Sequence, residues 1–121
     1  MSKLILAVED QEDNMKILRD LLTSAGFEVV EAENGEQALA AVAKRLPDLI
    51  LMDIQLPIMD GYEATRRIKA DPALRAIPII AVTSHAIGGG EEKARAAGCD
   101  DFVAKPFSPR QLLAKIKEYL P

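Results

Sequence analysis

The segment from Leu49 to Gly61, LILMDIQLPIMDG, constrains the fold more than any other part of the chain. Four consecutive apolar residues precede Asp53, and an apolar run without alternation indicates a strand that is buried on both faces, as in a parallel sheet covered by helices. Pro57 and the Asp60-Gly61 pair then require a loop before a new helix can begin. Asp53 is therefore expected at the carboxyl end of a central strand, where open α/β sheets place their ligands and their chemistry.

The rest of the chain repeats the order of strand and helix. Short apolar runs predict strands at residues 4–8, 27–32, 77–82 and 101–104, in addition to the central one. The first helix should stop near Gly26 and bury a stripe that consists of Asn14, Ile17, Leu18, Leu21 and Leu22. The pattern contains no hairpin signal, so right-handed crossovers are expected. The predicted fold is an α/β domain with a five-stranded parallel sheet and helices on both faces.

Two later helices have clear boundary signals. Residues 91–97 are helical in composition and finish at Gly98. Ser108 suits the N-cap of the last helix, and Pro109 suits its first position.

Polar side chains stand at the carboxyl ends of four predicted strands. They are Glu9 and Asp10 after the first strand, Asp53 after the third, Thr83 and Ser84 after the fourth, and Lys105 after the fifth. In a parallel sheet the carboxyl ends of all strands lie along one edge, so these side chains can converge although most of the chain separates them. We expect one polar site at this edge.

The residue types at this edge indicate phosphoryl transfer assisted by a metal. Three clustered carboxylates repel one another, and Mg2+ is a hard cation that prefers such oxygen ligands and is commonly held by one or two carboxylates plus phosphate. An aspartate carboxylate such as Asp53 is a competent nucleophile that forms an aspartyl phosphate. Lys105 would offset charge on the phosphoryl oxygens, and Thr83 would offer them a hydroxyl group.

Composition excludes several other classes of function. The 121 residues suit one domain, with 49% hydrophobic and 28% charged residues. The net charge of −4 comes without a basic stripe, so direct binding of nucleic acid is not expected. Glu9 and Asp10 interrupt the first apolar run before it could form a signal peptide or a membrane span. The single cysteine, Cys99, fits a reducing cytoplasm and a buried, structural position.

The segment around Asp53 resembles the phosphoacceptor signature of bacterial response-regulator receiver domains, the CheY-like family. The similarity extends over residues 1–121 and includes Val8-Glu9-Asp10, Val82-Thr83-Ser84, Ala97-Gly98-Cys99-Asp100-Asp101 and Ala104-Lys105-Pro106-Phe107. The resemblance implies a flavodoxin-like strand order of 2-1-3-4-5, which the handedness rules alone do not give.

The resemblance also implies a role for each site residue. Asp53 would be phosphorylated from a phosphohistidine. Asp10 would bind Mg2+ directly, Glu9 mostly through water, and the Gln55 backbone carbonyl would be a further ligand. Thr83 and Lys105 would contact the phosphoryl group.

Three further positions take expectations from the family. Phe102 would be the aromatic switch residue that turns inward as Thr83 moves. The Lys105-Pro106 bond would be cis. Gln55 and His85 would tune the lifetime of the phosphoryl group.

The implied function is a single-domain response regulator, a switch and not a turnover enzyme. A sensor histidine kinase or a histidine phosphotransfer protein would act upstream, and an unidentified target protein downstream. One alternative is a receiver fragment of a longer regulator. The run Gly88-Gly89-Gly90 departs from the family pattern and predicts a late start of the fourth helix and a mobile loop before it.

Two alternatives come from other functional classes. A flavodoxin-like FMN carrier would need a loop rich in Ser, Thr and Gly after the first strand, whereas Glu9 and Asp10 stand there. A phosphatase of the haloacid-dehalogenase type would need an aspartate two residues after Asp53, where the chain has Gln55.

Overall fold

A computed structural model describes residues 2–83 and 90–121. The elements follow one another in the order β1 (Leu4–Val8), α1 (Glu12–Ser24), β2 (Glu28–Ala32), α2 (Gly35–Lys44), β3 (Leu49–Asp53), α3 (Gly61–Ala70), β4 (Ile79–Thr83), α4 (Glu91–Ala97), β5 (Asp101–Ala104) and α5 (Pro109–Tyr119). Ser84, His85 and Gly88-Gly89 lie outside the described residues, as does the loop whose mobility was expected. Within the described ranges, no helix has the length and apolar character needed to cross a membrane.

The five strands form one parallel sheet in the order β2-β1-β3-β4-β5. Both the predicted fold and the strand order implied by the family resemblance are confirmed. The central strand β3 pairs with β1 on one side and with β4 on the other, and all five of its residues are buried. Asp53 is therefore the last residue of the central strand.

Apolar side chains pack on both faces of the sheet. One cluster includes Ala38 of α2, Ile68 of α3 and Ala94 of α4, and the other includes Leu22 of α1 and Leu112 of α5. A sheet covered in this way explains why its strands read as uninterrupted apolar runs and not as alternating patterns.

Side-chain caps fix where three of the helices begin. The carboxylate or amide oxygens of Asp60 and Asn34 accept hydrogen bonds from backbone N–H groups in the first turns of α3 and α2. Ser108 forms a capping box with Gln111, and Pro109 occupies the first position of α5, as predicted. These caps satisfy backbone donors that the helices leave unpaired.

Glycine and cysteine close the other helix ends. Gly26 and Gly98 have positive φ angles of 92° and 109°, which suit glycine at a helix terminus. Cys99 follows directly and is buried, with its Sγ donating to Thr65 Oγ1 at 3.7 Å. The structural position predicted for Cys99 is confirmed. The helix α4 begins at Glu91, and Gly90 before it already has helical φ and ψ angles of −61° and −39°. Residues 84–89 lie outside the described part of the chain, so the late start that the glycine run indicated stays a prediction.

One predicted burial pattern is wrong. In α1 the buried residues are Met15, Leu18 and Leu22, whereas Ile17 is 58% exposed. The positions Met15, Leu18 and Leu22 follow the three-and-four spacing of a helix face. Ile17 comes two residues after Met15 and one before Leu18, so it falls outside that spacing and turns away from the buried face.

Two predicted strand starts are also wrong. The second strand begins at Glu28, because the Phe27 N–H donates to Leu22 O and closes α1. The fourth strand begins at Ile79, because the Ile77 N–H donates to Leu74 O in a turn and Pro78 has no N–H to donate.

Candidate functional site

The carboxyl ends of the strands bring the predicted residues to one edge. Val8 of β1 pairs with Met52 of β3, so the residues that follow them, Glu9 and Asp53, lie side by side. The Glu9 N–H donates to Ala32 O at 3.0 Å, which holds Glu9 against β2. These neighbours are far apart in sequence, and parallel pairing alone places them together.

Three carboxylates form the acidic cluster of this edge, which consists of Glu9, Asp10 and Asp53. Each has an oxygen that lies within 4.8 Å of the other two. Glu9 and Asp53 are buried, with 2% and 4% exposure, whereas Asp10 is exposed. Hard oxygen donors at this spacing, two of them shielded from water and one open to it, fit a small divalent cation such as Mg2+.

Lys105 supplies a positive charge to this cluster. Its Nζ lies 3.0 Å from Asp53 Oδ2 and 3.2 Å from Glu9 Oε1, so one ammonium serves two buried carboxylates. Burial raises the pKa of Glu9, and the neighbouring charge of Asp53 raises it further. Burial lowers the pKa of Lys105, but hydrogen bonds and charge from Asp53 and Glu9 outweigh it, so that pKa lies above its usual value. The ammonium therefore stays protonated near neutral pH.

Backbone amides fix the second oxygen of each buried carboxylate. The Gln11 N–H donates to Glu9 Oε2 at 3.0 Å, and the Gln55 N–H donates to Asp53 Oδ1 at 3.0 Å. Each carboxylate is thus held by an amide on one oxygen and by Lys105 on the other. The family resemblance implied a role for the Gln55 carbonyl, which stays a prediction, and the sequence gave no sign of these amide contacts.

The other predicted residues lie on β4 and β5. Thr83 is the last residue of β4 and is 1% exposed, and its carbonyl accepts from the Lys105 N–H at 2.8 Å. Phe102 is partly buried against the apolar cluster that α2, α3 and α4 cover. The expected cis bond between Lys105 and Pro106 is present. The structure places these residues, and their switching roles stay predictions.

Two backbone features between Asp53 and the start of α3 were not predicted from the sequence. A Cβ atom on Gly61 would lie 2.3 Å from the Asp53 carbonyl oxygen, so only glycine fits against this backbone. Ile58 has a φ of 67° and is 75% exposed, although a branched side chain disfavours the left-handed region. The Asp60-Gly61 pair indicated a turn, but nothing in the sequence marked the left-handed residue.

A cavity of about 420 Å³ opens beside the acidic cluster. Glu9, Asp53 and Lys105 are among the residues that line it. Most of the remaining wall is apolar and includes Ile17 of α1 and Phe107 from the segment between β5 and α5. The phosphoacceptor candidate therefore borders a space that is large enough for part of a small ligand.

Comparisons with known proteins agree with this geometry. Residues 5–117 match the response regulator receiver domain family. The polar-differentiation response regulator DivK of Brucella anthropi is 47% identical over 120 residues, which cover 99% of this chain and 98% of that protein. The DivK protein of Brucella ovis is 46% identical with the same coverage.

Solved structures show the same fold. The receiver domain of a sensor histidine kinase from Pseudomonas aeruginosa has a TM-score of 0.93 and 38% identity, with 99% of this chain and 98% of that chain covered. That structure has a magnesium ion coordinated in its active site cleft. A CheY-like receiver domain protein from Methanospirillum hungatei has a TM-score of 0.91 and 32% identity, with coverage of 99% and 94%.

Proposed function

The chain belongs to the response regulator receiver domain family, and we propose that Asp53 is the residue through which it receives its signal. The observation that carries this proposal is the position of Asp53, a buried carboxylate whose two oxygens are held by the Gln55 N–H and by Lys105. An oriented carboxylate beside a fixed cation suits nucleophilic attack on phosphorus, because positioning and electrostatics supply most of the catalysis of phosphoryl transfer.

The proposed reaction transfers a phosphoryl group from a phosphohistidine. A carboxylate oxygen of Asp53 forms the new P–O bond while the P–N bond of the donor breaks. The electron pair of that bond stays with the imidazole, and the product on Asp53 is an acyl phosphate. We infer that a sensor histidine kinase or a histidine phosphotransfer protein presents the donor. The signal then passes to a downstream target protein whose identity is open.

The acidic cluster is the proposed metal site. Glu9, Asp10 and Asp53, with the Gln55 carbonyl as a further ligand, would hold Mg2+. When bound, the ion would offset the negative charge of the phosphoryl oxygens. Asp10 is the exposed member of the cluster and is therefore the ligand that meets an entering ion first.

The remaining residues would act on the phosphorylated state. Lys105 would pair with a phosphoryl oxygen, and the Thr83 hydroxyl would donate a hydrogen bond to another. Phe102 would turn inward as Thr83 moves, and protein contact would carry the signal onward. We propose that residues 1–121 form one receiver domain, which acts as a switch in the cytoplasm. The domain assists its own phosphorylation and does not hydrolyse external phosphate esters with turnover.

Intact mass spectrometry after incubation with Mg2+ and acetyl phosphate tests this proposal. We expect a gain of one phosphoryl group, which is absent with a chelator and absent in Asp53→Asn. The matched control is Asp60→Asn, because Asp60 lies in the same loop and asparagine caps a helix as well as aspartate does. An unchanged mass with several donors, or a label that survives in Asp53→Asn, would refute the assignment of Asp53.

Two observations would favour the alternative classes. A purified protein that is yellow with bound flavin would support the FMN carrier, although the buried Glu9 repels phosphate where such a carrier needs amide donors. Release of many phosphate ions per protein from ordinary esters would support the phosphatase, despite Gln55 at the position where that class needs an aspartate.

A further inference from the structure

The loop between β3 and α3 has a strained backbone beside the acidic cluster. The Met59 N–H donates to Pro57 O at 2.7 Å across Ile58, whose φ is 67°. A hydrogen bond between residues two apart, closed around a residue with a positive φ, characterises the rare and strained form of the γ-turn. Such strain persists only where the surrounding structure holds the backbone in place, and it is found mainly at functional sites. A neighbour of Met59 is therefore expected to hold this turn closed.

The first turn of α2 contacts this loop directly. The Gly35 N–H donates to Met59 O at 3.1 Å. A Cβ atom on Gly35 would lie 2.5 Å from that oxygen and 2.8 Å from Met59 Cβ, so only glycine permits the approach. Gly35 does not have a positive φ, so its backbone conformation is open to other residues. The close contact with Met59 is therefore the reason that a larger residue does not fit.

The end of α2 that makes this contact is itself fixed by hydrogen bonds. Asn34 is 8% exposed, and its Oδ1 accepts from the Gln37 N–H at 2.8 Å. The Gln37 side chain in turn accepts from the Glu33 N–H at 2.8 Å. These two bonds tie the segment before α2 to the first turn of the helix. Helix α2 therefore offers the loop a fixed point of attachment.

The same loop carries the residue that orients Asp53. Gln55 donates its N–H to Asp53 Oδ1 at 3.0 Å, and its carbonyl is the proposed further metal ligand. The Gly61 N–H donates to Ile54 O at 3.1 Å, which joins the two ends of the loop. Because the loop is short and closed, a displacement of Met59 is expected to reach Gln55.

We propose that Gly35 is a positioning residue for the metal site, although helix α2 supplies none of the side chains assigned to that site. The contact of Gly35 with Met59 holds the loop where Gln55 can fix Asp53 and present its carbonyl to Mg2+. The inference rests on the proposed metal site at the acidic cluster. Helix α2 thereby sets the affinity for the ion without touching it.

The substitution Gly35→Ala gives the expected magnitude, because it adds one carbon atom at this contact. The two backbones would have to separate by about 1 Å to bring the added Cβ to an ordinary van der Waals distance from Met59 O. Groups that orient a metal ligand directly contribute about ten- to a hundredfold to metal affinity. Gly35 acts one step further away, through Met59, so we expect the Mg2+ dissociation constant to rise by about three- to tenfold.

Titration of isotope-labelled protein with Mg2+ alone tests this proposal without a phosphoryl donor. Nuclear magnetic resonance of the Asp10 and Gln55 amides gives the dissociation constant, which should be about three- to tenfold higher in Gly35→Ala. The matched control is Gly26→Ala, because Gly26 precedes β2 at the amino edge of the sheet and has a positive φ of 92°. Alanine there should lower the unfolding free energy and leave the Mg2+ dissociation constant unchanged.

The substitution Asn34→Ala provides a second measurement that adds no atom at the contact. It removes the side-chain cap that fixes the first turn of α2. The Mg2+ dissociation constant should rise in the same direction by a smaller factor, about twofold. If the amide spectrum shows that Gly35→Ala does not fold, an unchanged dissociation constant in Asn34→Ala would overturn the proposal.

The outcomes separate this inference from the metal site on which it rests. A folded Gly35→Ala that binds Mg2+ as tightly as the unmodified protein would overturn the positioning role and leave the metal site intact. An equal rise of the dissociation constant in Gly35→Ala and Gly26→Ala would also overturn it, because general destabilisation would then explain the effect. If Mg2+ shifts neither the Asp10 nor the Gln55 amide of the unmodified protein, the metal site fails, and this inference fails with it.

Discussion

Lys105 lies between two buried carboxylates, and replacing it with methionine tests the electrostatics of the site without removing its volume. Methionine keeps most of the aliphatic stem and removes the ammonium that lies 3.0 Å from Asp53 Oδ2 and 3.2 Å from Glu9 Oε1. Removing one partner of a buried ion pair costs about 3–5 kcal/mol of unfolding free energy. The Lys105 side chain is 26% exposed, so water screens part of the interaction and we expect a loss of about 2–3 kcal/mol.

Urea unfolding at neutral pH in the presence of a chelator measures this loss. The matched control is Lys115→Met, because Lys115 pairs with a single carboxylate, Asp101, at 3.0 Å and is more exposed at 35%. We expect a smaller loss there, about 1 kcal/mol. Adding Asp53→Asn to Lys105→Met should restore about 1 kcal/mol or more, because it removes one of the two buried carboxylates of the acidic cluster, which repel each other once the ammonium is gone.

Two results would refute this reasoning. The first is a loss in Lys105→Met no larger than that in Lys115→Met, which would mean that water or bound cations already screen the acidic cluster. The second is a double variant no more stable than Lys105→Met alone, which would mean that the lost stability came from packing and not from charge.

Three further predictions concern the backbone and the pH dependence of stability. Ile58→Gly should raise the unfolding free energy by about 0.5 kcal/mol. Glycine relieves about 1–2 kcal/mol of strain in the left-handed region, and this exceeds the cost of its greater chain entropy in the unfolded state, about 0.5–1 kcal/mol. A loss of stability in urea unfolding would contradict the presence of strain at Ile58. Gly61→Ala should cost about 2–3 kcal/mol, since the added Cβ would lie 2.3 Å from a backbone oxygen, and an unchanged unfolding midpoint would show that the loop relaxes freely. Burial alone would raise the pKa of Asp101, but hydrogen bonds from Lys115 and a backbone amide lower it on balance. The ionised Asp101 therefore makes its full contribution to the unfolding free energy above about pH 3.9. That contribution is lost as the pH falls through the lowered pKa. The stability difference between the unmodified protein and Asp101→Asn should therefore shrink on acidification below that pH, and a difference that grows there would contradict the lowered pKa.

Much of the site could be predicted because its residues stand where strands end. Glu9, Asp53 and Lys105 follow apolar runs in the sequence, and the rule that parallel strands share a carboxyl edge predicts from the sequence alone that they meet. The strand order could not be predicted in the same way, because the alternation of strands and helices and the handedness of the crossovers leave several orders possible. Only the family resemblance selected the order that the structure has.

The details that the sequence missed depend on three-dimensional packing. Ile17 and Met15 are both apolar, and which of them is buried depends on how α1 is rotated against the sheet. The amides of Gln11 and Gln55 that hold the carboxylates belong to the backbone, so no side-chain pattern in the sequence predicts these contacts. The left-handed φ of Ile58 is similarly hidden, because a branched residue is the last type expected there.

The single thiol of the chain offers a chemical reporter that needs no mutation. Cys99 precedes β5, so it lies near the amino edge of the sheet, at the end of the strand remote from Lys105. Burial raises the pKa of this thiol, and the buried sulfur should react with a thiol reagent only in molecules that have opened around it. The labelling rate then measures the frequency of local opening. Comparing the labelling rate before and after phosphorylation would show whether a phosphoryl group at the carboxyl edge of the sheet changes the frequency of local opening at the amino edge.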